Sequence, residues 1–494
     1  MGEVRKTKYF GTDGFRGEFG NELTLKHAYV IGKFLGRRLN EELGRTKGAT
    51  SNNLGAKSCT PKARDSTEHH AEDDAGYDGR ECPKYAAKII IARDTRESSG
   101  LLFAAVAAGI RSTGAGAFDA GIITTPGLSY IAGSQEFDGG VMITASHNPC
   151  YDNGIKLFDS QGRKVSDELI YDLEDYMDKA IQKGVFTEEY DLKRQEFCGG
   201  QELYIEELTK GKIGELSGVR IGLDTASGAA YWIAPEVFRR LGAEVYQVDK
   251  NPDGRNINEG VGSTHPEALA RLVIKKGLDV GFAFDGDGDR CITVDKCGSI
   301  IDGDGEMFIL ATEMLRNGKL KNNKIVATVM SNSGFIRSLA AKGIECESCP
   351  VGDRFVYEKM QERDCALGGE QSGHIIIGDK ETGDGIFTAV SLASALKRSG
   401  NNMSMLMGDL SIFPQLSESI GVKDKGAVME SEGLKKLYEN VAAEIGDDGR
   451  VFIRPSGTES LIRVMVEHKN IDKCKLYLSK LKNFIESVAD CYDR

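Results

Sequence analysis

The sequence predicts an α/β protein: three mixed-sheet α/β domains in succession, followed by a smaller C-terminal α+β domain. Three observations lead there. The chain has 494 residues, beyond the ~250–300 at which single hydrophobic cores stop growing. Short apolar runs alternate with stretches of helical spacing as far as residue 410, the rhythm of strands and crossover helices. Residues 418–494 break that rhythm.

Residues 88–92, Lys-Ile-Ile-Ile-Ala, read as a buried strand, and 101–112 carry Leu, Val and Ile at helical spacing. Residues 139–145 read as another strand. The same alternation returns at 219–224, 229–241, 278–284, 325–330, 334–342 and 363–368. These elements group into blocks at 1–165, 196–295 and 300–410, with linkers expected near 184–200 and 415–425. In the last unit a helix near 433–445 precedes strand-like runs at 450–454 and 461–467. An amphipathic helix at 471–489 follows them. Residues 46–84 stand apart, because Leu54 and Tyr77 are their only larger apolar residues. Such a stretch cannot bury enough apolar surface to offset its ordering entropy, so a polar, disordered insertion is expected there.

The formal net charge of −12 argues against nucleic acid or an anionic membrane as partner. It is compatible with an anionic small substrate, because arginines and a metal can reverse the local sign inside a cleft. The first ten residues hold no apolar run of the kind a secretory signal needs, and no stretch is long and apolar enough to span a bilayer. A cytoplasmic protein, monomeric or homodimeric, is the expectation. The 11 cysteines are scattered, which reads as reduced thiols. The Cys346–Cys349 pair has no second pair beside it and reads as ordinary packing.

Four segments carry chemistry. Thr144-Ala145-Ser146-His147-Asn148-Pro149 directly follows a strand, where ligands collect in open α/β sheets. Its serine reads as a nucleophile or as a loop-capping hydroxyl, and no G-x-S-x-G elbow is present. Asp285-Gly286-Asp287-Gly288-Asp289-Arg290 also follows a strand. Three carboxylates at alternate positions converge on a hard cation, which also relieves their mutual repulsion. Arg290 and Lys296 stand where a calcium hand needs Gly and Glu, so Mg²⁺ suits the run better. Asp302, Asp304 and Glu306 read as a solvated helix start. Gly369-Glu370-Gln371-Ser372-Gly373-His374 reads as a loop for sugar hydroxyls or as a plain turn. Arg454-Pro455-Ser456-Gly457-Thr458-Glu459, with Arg463, offers an arginine, hydroxyls and free N–H groups for a phosphate. No P-loop for ATP occurs.

These motifs, together with the opening Phe10-Gly11-Thr12-Asp13-Gly14-Phe15-Arg16-Gly17 and the run Tyr151-Asp152-Asn153-Gly154-Ile155-Lys156, closely resemble the α-D-phosphohexomutase superfamily. The resemblance covers nearly the whole chain and is closest to its phosphoglucosamine mutase branch. It implies four domains around a central cleft and interconversion of glucosamine 6-phosphate and glucosamine 1-phosphate through a phosphoserine and a sugar bisphosphate. The bisphosphate would serve as intermediate and activator. By the same resemblance Ser146 is the phosphoserine, and Asp285, Asp287 and Asp289 hold one Mg²⁺ with an oxygen on Ser146. Glu370 and Ser372 contact sugar hydroxyls. Arg454, Ser456, Gly457, Thr458 and Arg463 bind the phosphate that is not reacting. Arg16, Lys156, Arg290 and His374 surround the reacting centre, with Lys156 or His147 for acid–base work. The resemblance assigns the serine to residues 1–165, the metal to 196–295, the sugar loop to 300–410 and the phosphate loop to 418–494.

Glucose or mannose phosphates are the alternative substrates. A metal-dependent sugar-phosphate phosphatase is a rival from another class: Asp285 and Asp287 fit half of its pattern, but it leaves Ser146 without a task. A non-catalytic sugar-phosphate sensor would keep the loops and lack turnover.

Overall fold

A computed structural model of the chain describes residues 7–11, 13–49, 86–184, 186, 194–248, 251–456 and 460–492. The insertion expected over 46–84 lies outside the described residues from residue 50 on; residues 46–49 continue the helix Leu25–Ala49.

The first sheet holds β1 (Phe10–Gly11), β2 (Gly14–Glu18), β3 (Lys88–Arg93), β4 (Gly116–Ile122), β5 (Gly139–Ile143) and β6 (Asp152–Asp159). Their order is β1-β2-β6-β5-β3-β4. The trio β5-β3-β4 is parallel, and β6, β2 and β1 add antiparallel. Alternate side chains of a strand point to opposite faces. Ile89 and Ile91 therefore pack with Val141 and Ile143 against the outer helices, while Ile90 and Ala92 face Met142 and Phe158 in a second core. Each such fully buried side chain is worth about 1.5–3 kcal/mol.

The second sheet holds β7 (Arg220–Asp224), β8 (Glu244–Gln247), β9 (Val280–Phe284), β10 (Cys291–Asp295) and β11 (Ile300–Ile301), in the order β11-β10-β9-β7-β8. The third holds β12 (Lys324–Thr328), β13 (Glu345–Cys349), β14 (Leu367–Gly369) and β15 (Ile375–Ile377), in the order β13-β12-β14-β15. Both are mixed, with antiparallel hairpins joined to parallel strands. The inner face of the first sheet, the second unit and the third unit share one continuous apolar core.

The C-terminal sheet is antiparallel, β16 (Gln415–Gly421), β17 (Gly449–Pro455) and β18 (Leu461–His468) in the order β16-β18-β17, with its own core. Residues 415–421, read above as linker, are its edge strand β16, fully paired with β18. The polar run Gln-Leu-Ser-Glu-Ser-Ile-Gly has only Leu416 and Ile420 on its apolar register, too weak a signal against a loop. This unit is tied to the third by polar contacts. Arg450 donates to the carbonyls of Val329 and Met330 at 2.6 and 2.8 Å, and the Ser333 N–H donates to Glu467 at 2.9 Å. A separate core on a polar seam is the construction that permits domain motion.

Cys346 and Cys349 are free thiols, pushed up by burial to about 12 and about 11. That agrees with packing and not with reactivity.

Candidate active site

Ser146 sits on the turn after β5, whose five residues are all buried. Its φ of +52° lies in the left-handed region, which a side-chain-bearing residue occupies at a cost of about 1–3 kcal/mol. Something must hold that turn, and Arg96 does. Its guanidinium donates to the carbonyls of Ser146 (3.0 Å), Asn148 (2.9 Å), Asp152 (2.9 Å) and Pro149. Asp94 pairs with Arg96 at 2.8 Å, and both side chains are wholly buried. From the second unit, Asn258 donates to the Ser146 carbonyl at 2.8 Å. Arg96→Ala strands the Asp94 charge and several buried carbonyls, so a loss of about 3–5 kcal/mol in denaturant unfolding is expected. Arg96→Lys will not restore it, since a compact ammonium cannot span the four acceptors. A wild-type unfolding midpoint in the alanine variant would remove Arg96 from this role.

The second unit delivers the carboxylates. All of β9 is buried, and the chain leaves it directly into Asp285-Gly286-Asp287-Gly288-Asp289. A Cβ on Gly286 would stand 2.4 Å from the Ser146 carbonyl, so only glycine lets the two loops meet. Ser146 Oγ donates to Asp285 Oδ2 at 2.6 Å. Ligand oxygens of Asp285, Asp287 and Asp289 lie within 4.8 Å of one another. Among the described residues, Asp287 Oδ1 and Asp289 Oδ1 are buried with no hydrogen-bond partner. Burial, and then the charges of Asp289 and Asp287, push the Asp285 carboxyl well above its usual range. Unsatisfied, mutually repelling oxygen donors fit a hard divalent cation.

Cations wall the cluster. Lys156 on β6 donates to Asp287 at 2.8 Å and lies 3.1 Å from Asp13 and 3.5 Å from Asp289. Burial alone would lower this ammonium, but the three carboxylates outweigh it and hold its proton firmly. Burial would likewise raise Asp287; Lys156 overrides it and depresses the carboxyl. The Arg290 backbone amide donates to Asp285 at 3.3 Å, and its guanidinium Nε lies 3.9 Å from Asp289. Arg16 pairs with Asp13 and reaches Asn148 at 3.5 Å. His147 Nδ1 is 3.4 Å from Ser146 Oγ. Burial, then Arg290 and Arg16, push its imidazole down to about 4, so it is neutral at neutral pH.

Residues 370–374 join this centre from the third unit, on the β14–β15 connection. Arg290 and His374 form an isolated antiparallel bridge, and the Cys291 N–H donates to the Gly373 carbonyl at 3.0 Å. His374 is buried, its Nε2 accepting from the Gly383 N–H at 3.2 Å. Glu370 accepts from the Gly352 N–H at 2.9 Å and from Ser372 Oγ at 3.3 Å. Asp302 caps the helix Gly303–Arg316, as its residue type predicts, and accepts from Gln371 Nε2 at 3.0 Å. Asp304 and Glu306 do not point to solvent as expected. They are fully buried, Asp304 accepting from the Asn332 N–H at 2.7 Å and Glu306 from Thr293 Oγ1 at 2.6 Å, and burial lifts Asp304 to about 7.

Arg454 and Arg463 stand apart from the buried cluster. They are an exposed cross-strand pair on β17 and β18, beside Ser456, whose N–H donates to the Leu461 carbonyl at 2.9 Å. Gly457 and Thr458 lie outside the described residues. Sequence reasoning missed Arg96, Asn258, Lys164 and Asp353, and left Asp13, a residue of the opening motif, without a role. Only the Asp94-x-Arg96 run gave a local signal, by standing just beyond the carboxyl end of β3.

Four domain descriptions match the chain in order. They are phosphoglucomutase/phosphomannomutase alpha/beta/alpha domain I over residues 76–183, domain II over 202–303, domain III over 302–412 and the C-terminal domain over 420–478. The chain belongs to the phosphoglucomutase/phosphomannomutase family. Within this family it is 39% identical over 482 residues to a phosphoglucosamine mutase of Lachnospira eligens, covering 97% of this chain and 98% of the relative. It is 41% identical over 483 residues to a phosphoglucosamine mutase of Bacillus cereus strain AH187, with the same coverage. The fold is that of a family member from Burkholderia thailandensis, with TM-score 0.71, 22% identity and 97% of each chain covered. It is also similar to Aspergillus fumigatus N-acetylphosphoglucosamine mutase, with TM-score 0.56, 16% identity, 74% of this chain and 92% of that one. Among the described residues, no helix is long and apolar enough to cross a membrane.

Proposed function

We propose that this family member interconverts glucosamine 6-phosphate and glucosamine 1-phosphate in the cytoplasm, carrying a phosphoryl group on Ser146. The observation that carries the reading is the 2.6 Å hydrogen bond from Ser146 Oγ to Asp285, which puts a buried hydroxyl against three clustered carboxylates. The phosphoglucosamine mutase relatives point to the same substrate.

In this scheme Ser146 is phosphorylated at rest. The free sugar hydroxyl attacks that phosphorus, its P–O bond forms as the bond to Ser146 Oγ breaks, and a sugar bisphosphate results. The hydroxyl proton passes to a neighbouring base and a proton is delivered to the departing Ser146 Oγ; in the return half Ser146 gives its proton up as it attacks, and the sugar oxygen that leaves the phosphorus takes one. Lys156 holds its own proton firmly here, while neutral His147, 3.4 Å from Ser146 Oγ, has a free lone pair. The bisphosphate turns over, and Ser146 Oγ takes the other phosphoryl group. Such transfer needs chiefly in-line positioning and charge neutralisation. Mg²⁺ on Asp285, Asp287, Asp289 and a Ser146 phosphate oxygen would neutralise the transferring group. Arg16 and Arg290 add fixed positive charge. Glu370 and Ser372 hold sugar hydroxyls in either orientation. Arg454, Ser456, Gly457, Thr458 and Arg463 grip the idle phosphate, and closure of the C-terminal domain over the cleft keeps the intermediate from water.

One coupled assay tests the reading by comparing glucosamine 6-phosphate, glucose 1-phosphate and mannose 1-phosphate. The highest kcat/KM is expected for the glucosamine phosphate, and release of inorganic phosphate from all three without isomerisation would overturn it. Arg463→Ala is expected to raise KM about tenfold with a smaller fall in kcat, the pattern of lost uniform binding. An unchanged KM would take Arg463 out of the site.

A further inference from the structure

A row of alternating charges runs from the aspartate cluster towards the sugar loop. Asp287 meets Lys156 at 2.8 Å, Lys156 meets Asp13 at 3.1 Å, and Asp13 meets Lys164 at 2.5 Å. Lys164 then pairs with Asp353, the first residue of the helix Asp353–Arg363, where the row of charges ends; His374 Nε2, which accepts from Gly383, lies 3.8 Å further on. Lys156, Asp13 and Lys164 belong to the serine-bearing unit; Asp353 and His374 belong to the third. The row passes from the second unit to the first at Lys156 and from the first to the third at Lys164.

Lys164 is rigidly placed. Its backbone bridges Phe158, and the next N–H, of Val165, donates to the Leu157 carbonyl, so the residue is stapled to the edge of β6. Its side chain is 18% exposed and that of Asp353 13%, enough burial for the pair to escape most solvent screening. Beyond Asp353 the link continues through the backbone. Gly352 precedes Asp353, and its N–H holds Glu370 Oε1 at 2.9 Å.

We propose that Lys164 is a positioning residue for phosphoryl transfer: its ammonium sets the register between the serine-bearing unit and the Gly352–Glu370 grip on the sugar. The inference rests on the sugar-phosphate reading above. The rival account is that Lys164 only neutralises Asp13 and Asp353. A second contact, Arg354 with Asp167, crosses the same boundary nearby, with side chains 33% and 47% exposed. It serves as an internal control, because exposed pairs contribute little.

The test is a double-mutant cycle on the full chain, read by thermal unfolding and by isomerase kinetics with glucosamine 6-phosphate. Lys164→Met is expected to lower kcat/KM about 10²-fold, the cost of misplacing a reacting group by roughly 1 Å. Adding Asp353→Asn removes the stranded carboxylate, so the melting temperature should recover while kcat/KM stays at the Lys164→Met level. Asp167→Asn should lower kcat/KM no more than about fivefold. Activity that recovers together with melting temperature would leave neutralisation as the whole role of Lys164 and overturn the proposal. An unchanged kcat/KM in Lys164→Met, or an equal loss in Asp167→Asn, would overturn it too. Absence of isomerisation in the wild-type protein would instead reject the functional reading on which it stands.

Discussion

Ser146→Ala abolishes turnover, with kcat expected to fall by about 10⁴-fold or more, as when a covalent nucleophile is removed. The phosphorylated species also disappears from the intact-mass spectrum. The fold should survive the change. Alanine and serine carry the same Cβ, so the left-handed backbone at φ +52° costs both residues alike. The turn is held through its backbone carbonyls by Arg96 and Asn258, which the substitution leaves in place. The lost bond is the one from Oγ to Asp285. Wild-type-like activity with a normal melting curve would reject Ser146 as phosphoryl carrier and with it the whole transfer scheme.

Asp287→Asn is expected to cost about 10³-fold in kcat, the several kcal/mol of charge stabilisation that a lost metal site represents. The amide matches the carboxylate in shape, so packing against Thr125, whose hydroxyl donates at 2.5 Å, is preserved. What goes is a negative charge and a ligand oxygen. A second readout does not depend on activity. A ligand that binds only the native state at 100 times its Kd stabilises by about 2.7 kcal/mol. Mg²⁺ should therefore raise the melting temperature of the wild type and raise that of the variant far less. Equal shifts in both proteins, or full recovery of kcat at high Mg²⁺, would mean that Asp287 is not a primary ligand.

The parts of the site that were legible in advance share one property: each is a contiguous run leaving a buried strand. Ser146 after β5 and the Asp-Gly repeat after β9 are visible because apolar runs mark the strands and glycines mark the close turns. The residues that escaped notice reach the site from far along the chain. Asn258 lies 112 positions from the serine whose carbonyl it binds. Lys164 and Asp353 are 189 positions apart and look like ordinary surface charges in sequence. Asp304 and Glu306 show the opposite error. Their place in a first helical turn was right and their solvation was wrong, because distant segments cover that turn: the Asn332 N–H donates to Asp304 at 2.7 Å, Thr293 Oγ1 donates to Glu306 at 2.6 Å, and the Glu370–Gln371 backbone lies against Gly303. A Cβ on Gly303 would stand 2.0 Å from the Glu370 carbonyl.

Periodicity and turn chemistry are local, and from them follow the α/β layers and the smaller terminal unit; the roles expected of the loops rest on the resemblance of their motifs to a known family. Charge state and pairing are not local. Lys156 keeps its proton because Asp13, Asp287 and Asp289, drawn from two units, converge on it against the cost of burial. His147 loses its proton because burial, Arg290 and Arg16 act together. Coulomb energy depends on distance through space and on the medium between the charges. The packing of the units sets both, and the order of residues in a chain does not display them.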